Sequence, residues 1–464
     1  MTNLIMLNSA QPLARNRGSL AWTSNTNLII FAFSLIFYGR IIVTTISAPS
    51  ILAHAHFIVV PIVFCIALAT TPTKNQHQIA LVKTLLGGLL IFFMTNLASA
   101  FWNGAGLINA LANFMMLGEP IMFITAIVCI PMSGRSINRI QTWFMASVVI
   151  NFLLAAVQKP LIDMGKLYAD GFDGTDGCGG VFFVSGAGNY VSASVSIAFA
   201  IYFLVNGKNF PLWIRIAAFS AAGWQLLFSD SKQLVLAYFI GWALLIAFSF
   251  KNIDKTIKLL IAAIIGGLVF YWCVQNVPAF APFNAWVGRS ELYGEDGDAW
   301  FTKFYSINAI LTEFDSVGNW LFGIGPGHGV SRLGAWFMQD YRAILAPLGA
   351  TTTSIGTESR EFINTFWLAK GSSLFSPIFG WAGIWGDIGL VGLSAYLYMA
   401  YLVWRNFGLD NSLRVTLLAT VILGFIFTHL EEPGYMLSVS LLLGLAWQKK
   451  RLKFEQNQRM TQVQ

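Results

Sequence analysis

Apolar runs of close to twenty residues recur along most of this chain, at about 27–45, 51–70, 79–100, 107–130, 140–158, 187–206, 211–229, 233–250, 257–275, 376–404, 414–430 and 434–448. Roughly 20 apolar residues in a helix cross the hydrocarbon core of a bilayer. The pattern therefore predicts an all-α polytopic membrane protein of about twelve transmembrane helices. It stops once, over 276–375. Within that interval Ala299–Phe314 sets Trp300, Phe301, Phe304, Ile307, Ile310 and Leu311 near helical spacing, and Val330–Leu345 does the same with Leu333, Trp336, Phe337, Tyr341 and Leu345. Both segments read as amphipathic helices at the bilayer surface, aromatic side inward. Between them the glycines of Gly323–Gly329 call for a tight turn. The long loop is expected to fold as a helical cap between spans nine and ten.

Composition agrees with lipid as the solvent. The chain is 56% hydrophobic and 11% charged, with a mean hydropathy of +0.65, against roughly 25% charged residues in a soluble protein. The net charge of +7 reads as topology rather than as a nucleic-acid surface. Most basic residues, Arg135, Arg139, Lys208, Arg215, Arg405 and Arg414 among them, fall in alternate connections, while the short loops near Pro49, Gly104 and Pro433 have none. By the positive-inside rule both termini face the cytoplasm. The expected organisation is a cytoplasmic segment 1–26, spans one to nine over 27–275 with an outer loop at 159–186, the extracytoplasmic cap 276–375, spans ten to twelve over 376–448, and a polar tail 449–464 that reads as a frayed end.

Chemistry-bearing residues concentrate in or beside the cap. Arg289, Arg332, Arg342 and Arg360 offer planar, permanently charged forks suited to phosphate, although a loop arginine also serves simply as a solvated or snorkelling side chain. Lys232, in the outer turn Ser229–Gln233, stands at headgroup level, where it would meet a lipid diphosphate or pair with Asp230. His328, set among glycines, is either a base near neutral pH or a solvated turn histidine, with Glu358 or Glu361 as the alternative base. Arg40, Glu119 and Asp387 fall inside apolar runs, where a charge must face the protein interior. Asp170, Asp173 and Asp176 lack the alternate spacing of a calcium loop and read as a solvated turn. The chain carries no zinc-binding helix motif, phosphate loop or nucleophile elbow. The expected chemistry therefore uses no metal and no cofactor.

Four stretches together resemble the O-antigen ligase and polysaccharide polymerase superfamily: Ser229-Asp-Ser-Lys232-Gln-Leu-Val, Arg289 followed by Trp300-Phe-Thr-Lys-Phe-Tyr-Ser-Ile-Asn-Ala-Ile310, Leu321-Phe-Gly-Ile-Gly-Pro-Gly327, and Asp387-Ile-Gly-Leu-Val-Gly392. Each is degenerate, and their order and topology carry the likeness, over roughly 187–404. The resemblance implies transfer of glycan from a polyprenyl-diphosphate carrier at the outer leaflet of a bacterial plasma membrane. Arg289, Lys232 and His328 are the expected catalytic residues. Arg360, Arg332, Arg342, Asp387 and Trp300 are the expected substrate contacts. Implied partners are the polyprenyl-diphosphate-linked oligosaccharide, membrane lipid, and chain-length-regulating and export proteins, with no nucleic acid. Ligase-type members have a histidine about nine residues before the acidic position, where this chain has Ile378. That departure favours a polymerase that builds surface or extracellular polysaccharide. An O-antigen ligase and a twelve-span transporter or flippase of lipid-linked sugars remain as alternatives.

Overall fold

A computed structural model describes residues 16–72, 75–167, 177–183, 187–247, 253–280, 283, 290–294, 297–371, 375 and 380–463. Among these residues the secondary structure is entirely helical. Nine helices precede the cap: α1 Asn16–Thr45, α2 His56–Thr70, α3 Gln76–Trp102, α4 Leu107–Cys129, α5 Gly134–Asp163, α6 Gly188–Asn206, α7 Leu212–Phe228, α8 Gln233–Ala247 and α9 Ile253–Asn276. The cap contributes α10 Asp298–Leu311, α11 Val317–Phe322 and α12 Ser354–Thr365. Three more come after it: α13 Gly380–Phe407, α14 Asn411–Ile426 and α15 Pro433–Val463. Among the described residues, seven stretches are long and apolar enough to cross a membrane: Asn25–Thr45, Ser50–Thr70, Gln76–Trp102, Leu107–Cys129, Gly134–Asp163, Gly188–Asn206 and Gly380–Phe407. Shorter apolar helices occupy Leu212–Phe228, Gln233–Ala247 and Asn411–Ile426.

Lipid-facing and protein-facing helices separate by burial. Helices α4 and α6 are enclosed, whereas α2 turns most of its apolar surface outward. Alongside α4 and α6 lies the apolar half of α15, buried almost continuously from Tyr435 to Trp447. The basic remainder of α15 continues the helix to Val463. Its first turns are held to the bundle: Gln448 Nε2 donates to the carbonyls of Ile127 and Ile130, and Arg451 donates to Gln448, Glu455 and the Met132 carbonyl. The mid-span carboxyl of Glu119 meets His56 Nδ1 at 2.8 Å, and both are buried.

The cap differs from expectation in two respects. The 330–345 segment is no continuous helix: a π-turn over Leu333–Phe337 gives way to single turns at Met338–Asp340 and Arg342–Leu345. Its aromatic residues still share one contact, with Phe337 and Tyr341 both edge-on to His54 and the Tyr341 hydroxyl on Ser50. In α10 the buried stripe is Ala299, Thr302, Ser306 and Ile310, while Trp300 and Phe301 point outward. Close approach of α10 to α13 rests on Gly386, whose missing side chain leaves the space that Ile310 fills. Exposed aromatics there suit a bilayer interface.

Candidate functional site

The glycine turn and the start of α13 form one interlocked unit. Backbone N–H groups of Ile324 and Gly325 donate to the carbonyls of Gly386 and Asp387 at 2.9 and 3.0 Å. The Asp387 carboxylate, 1% exposed, accepts from Gly327 N at 3.0 Å, Gly329 N at 2.9 Å and Ser331 Oγ at 2.6 Å. Gly389 breaks α13 at a φ of +64°, a left-handed conformation open to glycine, and the Leu321–Gly323 backbone lies where a Cβ would stand. The spacing of Asp387, Gly389 and Gly392 thus has a local cause: the helix must open to receive the turn.

His328 staples the same unit. Its Nδ1–H donates to the Ile324 carbonyl at 3.1 Å, and Nε2 accepts from Thr351 Oγ1 at 2.7 Å. Burial holds its pKa below the usual histidine range, so the ring is neutral and both nitrogens are occupied. Asn109, in the first turn of α4, pins the adjoining strands of chain by donating to the carbonyls of Pro326 and Thr351.

Next to this unit lies a cluster that sequence reasoning missed, the turn His429-Leu430-Glu431-Glu432 between α14 and α15. Arg332 grips it from the cap. Its backbone N–H donates to Glu431 Oε2 at 2.7 Å, and its Nη1 reaches the Glu431 carbonyl at 2.8 Å and Glu432 Oε1 at 2.9 Å. Arg40 of α1 approaches the other oxygen of Glu432 at 3.8 Å, and the two guanidinium groups feel each other's charge across it. Among the described residues Arg332 Nε and Nη2 make no hydrogen bond, which leaves one edge of that fork open. Burial pushes the Glu431 carboxyl up to about 8, with the charge of Asp387 adding to the effect. Glu431 is then protonated at neutral pH, and the arginine pair faces one carboxylate, Glu432. Nearby, Lys303 of α10 donates to the carbonyl of Ile426 at 2.9 Å, the last residue of α14, and burial draws its ammonium down to about 7. His429 meets Ser194 Oγ through Nε2 at 2.8 Å.

The other expected residues stand apart from the cluster. Lys232 is bound to Asp230, which occupies a left-handed φ of +50° in the α7–α8 turn. Arg360 pairs with Asp340 at 2.6 Å on a partly exposed surface. Arg342, Glu358 and Glu361 are exposed, and Trp300 packs on Phe304 at 4.1 Å between centroids. Arg289, Ile378 and the aspartates at 170, 173 and 176 lie outside the described residues. Of the expected set, Arg332, Asp387 and His328 are therefore gathered about the glycine turn, with Arg40, Glu431 and Glu432 as additions. A visible signal for them existed: two adjacent acids between apolar runs are costly unless paired. In comparison with known proteins, the chain matches no family model, and none of the curated proteins is similar to it.

Proposed function

We propose that this chain is a twelve-span membrane glycosyltransferase, with both termini cytoplasmic, that joins polyprenyl-diphosphate-linked oligosaccharides into a surface or extracellular polysaccharide. A polymerase is favoured over a ligase. The observation that carries this reading is the half-open arginine pair, Arg40 and Arg332, held by Glu432 beneath the cap. Arginine forks match phosphate geometry, and Glu432 occupies the ground a phosphate would take. The donor's tail belongs in the bilayer and its diphosphate at headgroup level. The acceptor hydroxyl attacks the anomeric carbon, the lipid diphosphate leaves, and negative charge grows on the departing oxygens. Fixed cations aimed there stabilise the transition state. Arg289 and Lys232 keep, as part of this proposal, the catalytic role on the diphosphate that the resemblance gives them.

Asp387 and His328 then act on the site indirectly. They fix the glycine turn that leads into Ser331 and Arg332. The test is purified protein in liposomes supplied with lipid-linked oligosaccharide, read as chain growth on a gel. Arg332→Ala should cut turnover by roughly 100-fold or more, the scale of losing one charge-stabilising donor. Wild-type protein that moves the lipid-linked sugar between leaflets without lengthening it would replace this reading with the transporter.

A further inference from the structure

Building on that glycosyl-transfer reading, we propose that Glu431 takes the proton of the acceptor hydroxyl, with Oε1 as the receiving atom. Its two oxygens are unequal. Oε2 is fixed by the N–H of Arg332, whereas Oε1 is buried and finds no hydrogen-bond partner among the described residues. Unpaired buried oxygens are rare and ask for an explanation. Oε1 lies against Gly383, where a Cβ would stand 3.2 Å from it and 3.2 Å from Ser331 Cβ, so the glycine is what leaves room for this oxygen.

The placement is economical in one further way. Arg332 offers its guanidinium to the leaving diphosphate and its backbone N–H to the base. One residue therefore sets the separation between the bond that breaks and the proton that moves. Other groups facing Glu431 are Asp387 and Tyr396 from α13 and the neighbouring Glu432, through which Arg40 of α1 acts.

The step balances. The acceptor O–H breaks and its proton goes to Oε1, while the acceptor oxygen bonds the anomeric carbon. The bond from that carbon to the phosphate oxygen breaks, and the lipid diphosphate leaves with the electron pair. The proton then passes to water.

Because burial raises this carboxyl to about 8, its basic form predominates only above that pH. The experiment compares wild type, Glu431→Gln and Glu431→Asp in liposomes with lipid-linked oligosaccharide, from pH 6 to pH 9. Wild-type turnover should climb about tenfold per unit up to roughly pH 8 and then level, as expected for a base of that strength. Glu431→Gln should lose about 100-fold or more and lose the climb, with donor binding within threefold of wild type and a cooperative melt that shows it folded. Glu431→Asp should restore part of the rate on a displaced climb. A Glu431→Gln enzyme that keeps its rate, or keeps the climb, overturns the assignment, as does a wild-type profile flat across pH 8. Wild type that lengthens no chain at any pH removes the reaction itself, a failure separable from loss in the variant alone.

Discussion

Two buried carboxyl groups stand side by side at the cap end of the bundle, and they are treated in opposite ways. Asp387 is saturated, with donors from Gly327, Gly329 and Ser331 converging on both oxygens. Glu431 is equally hidden, yet one oxygen has nothing to bond among the described residues. The lesson is that burial alone does not assign a role. A fully paired carboxylate specifies a backbone conformation, here the glycine turn. A half-paired one holds a free-energy cost that structure does not need and chemistry can use.

The contrast breaks first at Asp387. Asp387→Ala would strand two N–H groups and a hydroxyl, each worth about 1–3 kcal/mol when left unpaired in the interior. The variant should lose several kcal/mol, about 3 or more, with a marked fall in melting temperature, and turnover should fall with it. If stability holds while turnover drops, Asp387 belongs to the chemistry instead.

At Glu431 the pH dependence sharpens the comparison. Its folded pKa, about 8, lies above the ordinary value of 4.5, so the folded state binds the extra proton between them. Its contribution to stability is then greatest below about pH 4.5 and is lost as pH rises toward 8, by on the order of a few kcal/mol. Thermal melts of Glu431→Gln should lack that decline. Lys303 works in the other sense. Its folded value, about 7, lies below the ordinary 10.5, so stability rises with pH across that window. Lys303→Met should flatten the rise, and hydrogen exchange in α10 would read it out most directly. The smallest effect belongs to Arg360→Ala. The pair with Asp340 is partly exposed, and such pairs contribute about 0–1 kcal/mol. Both melting temperature and chain growth should stay close to wild type, and a large loss of turnover would return Arg360 to the donor site.

Much of the scaffold was legible because hydrophobic runs report burial in lipid or protein directly. Helices occur near each expected run, from α1 to α15. The interval 276–375 was legible as a break in the apolar pattern and poorly as a shape. Apolar spacing at Leu333, Trp336, Phe337 and Tyr341 suggested one helix, and Leu333, Phe337 and Tyr341 do share one cluster, but a π-turn and the non-helical Tyr341 break the backbone in a way that spacing does not report. Within the site, Asp387 and the glycine turn were visible as a motif, since backbone geometry constrains residue type. Arg332 was one arginine among several, and only the fold could select it. Glu431 and Glu432 escape the topology rule, which weighs only Lys and Arg. The cost of placing two acids at the head of an enclosed helix was the better clue.

The break at Gly389 has a mechanical corollary. Hydropathy counts Gly380–Phe407 as a single crossing, yet the stretch from Gly380 to Ile388 is stitched to the turn above it and is free of helical continuity with the residues beyond the glycine. Those nine residues are also tied to the bundle, since Trp381 donates to the Val421 carbonyl and packs on Tyr396 beyond the break. One rod by composition, α13 is two segments by backbone, and the upper one joins the glycine turn to α14.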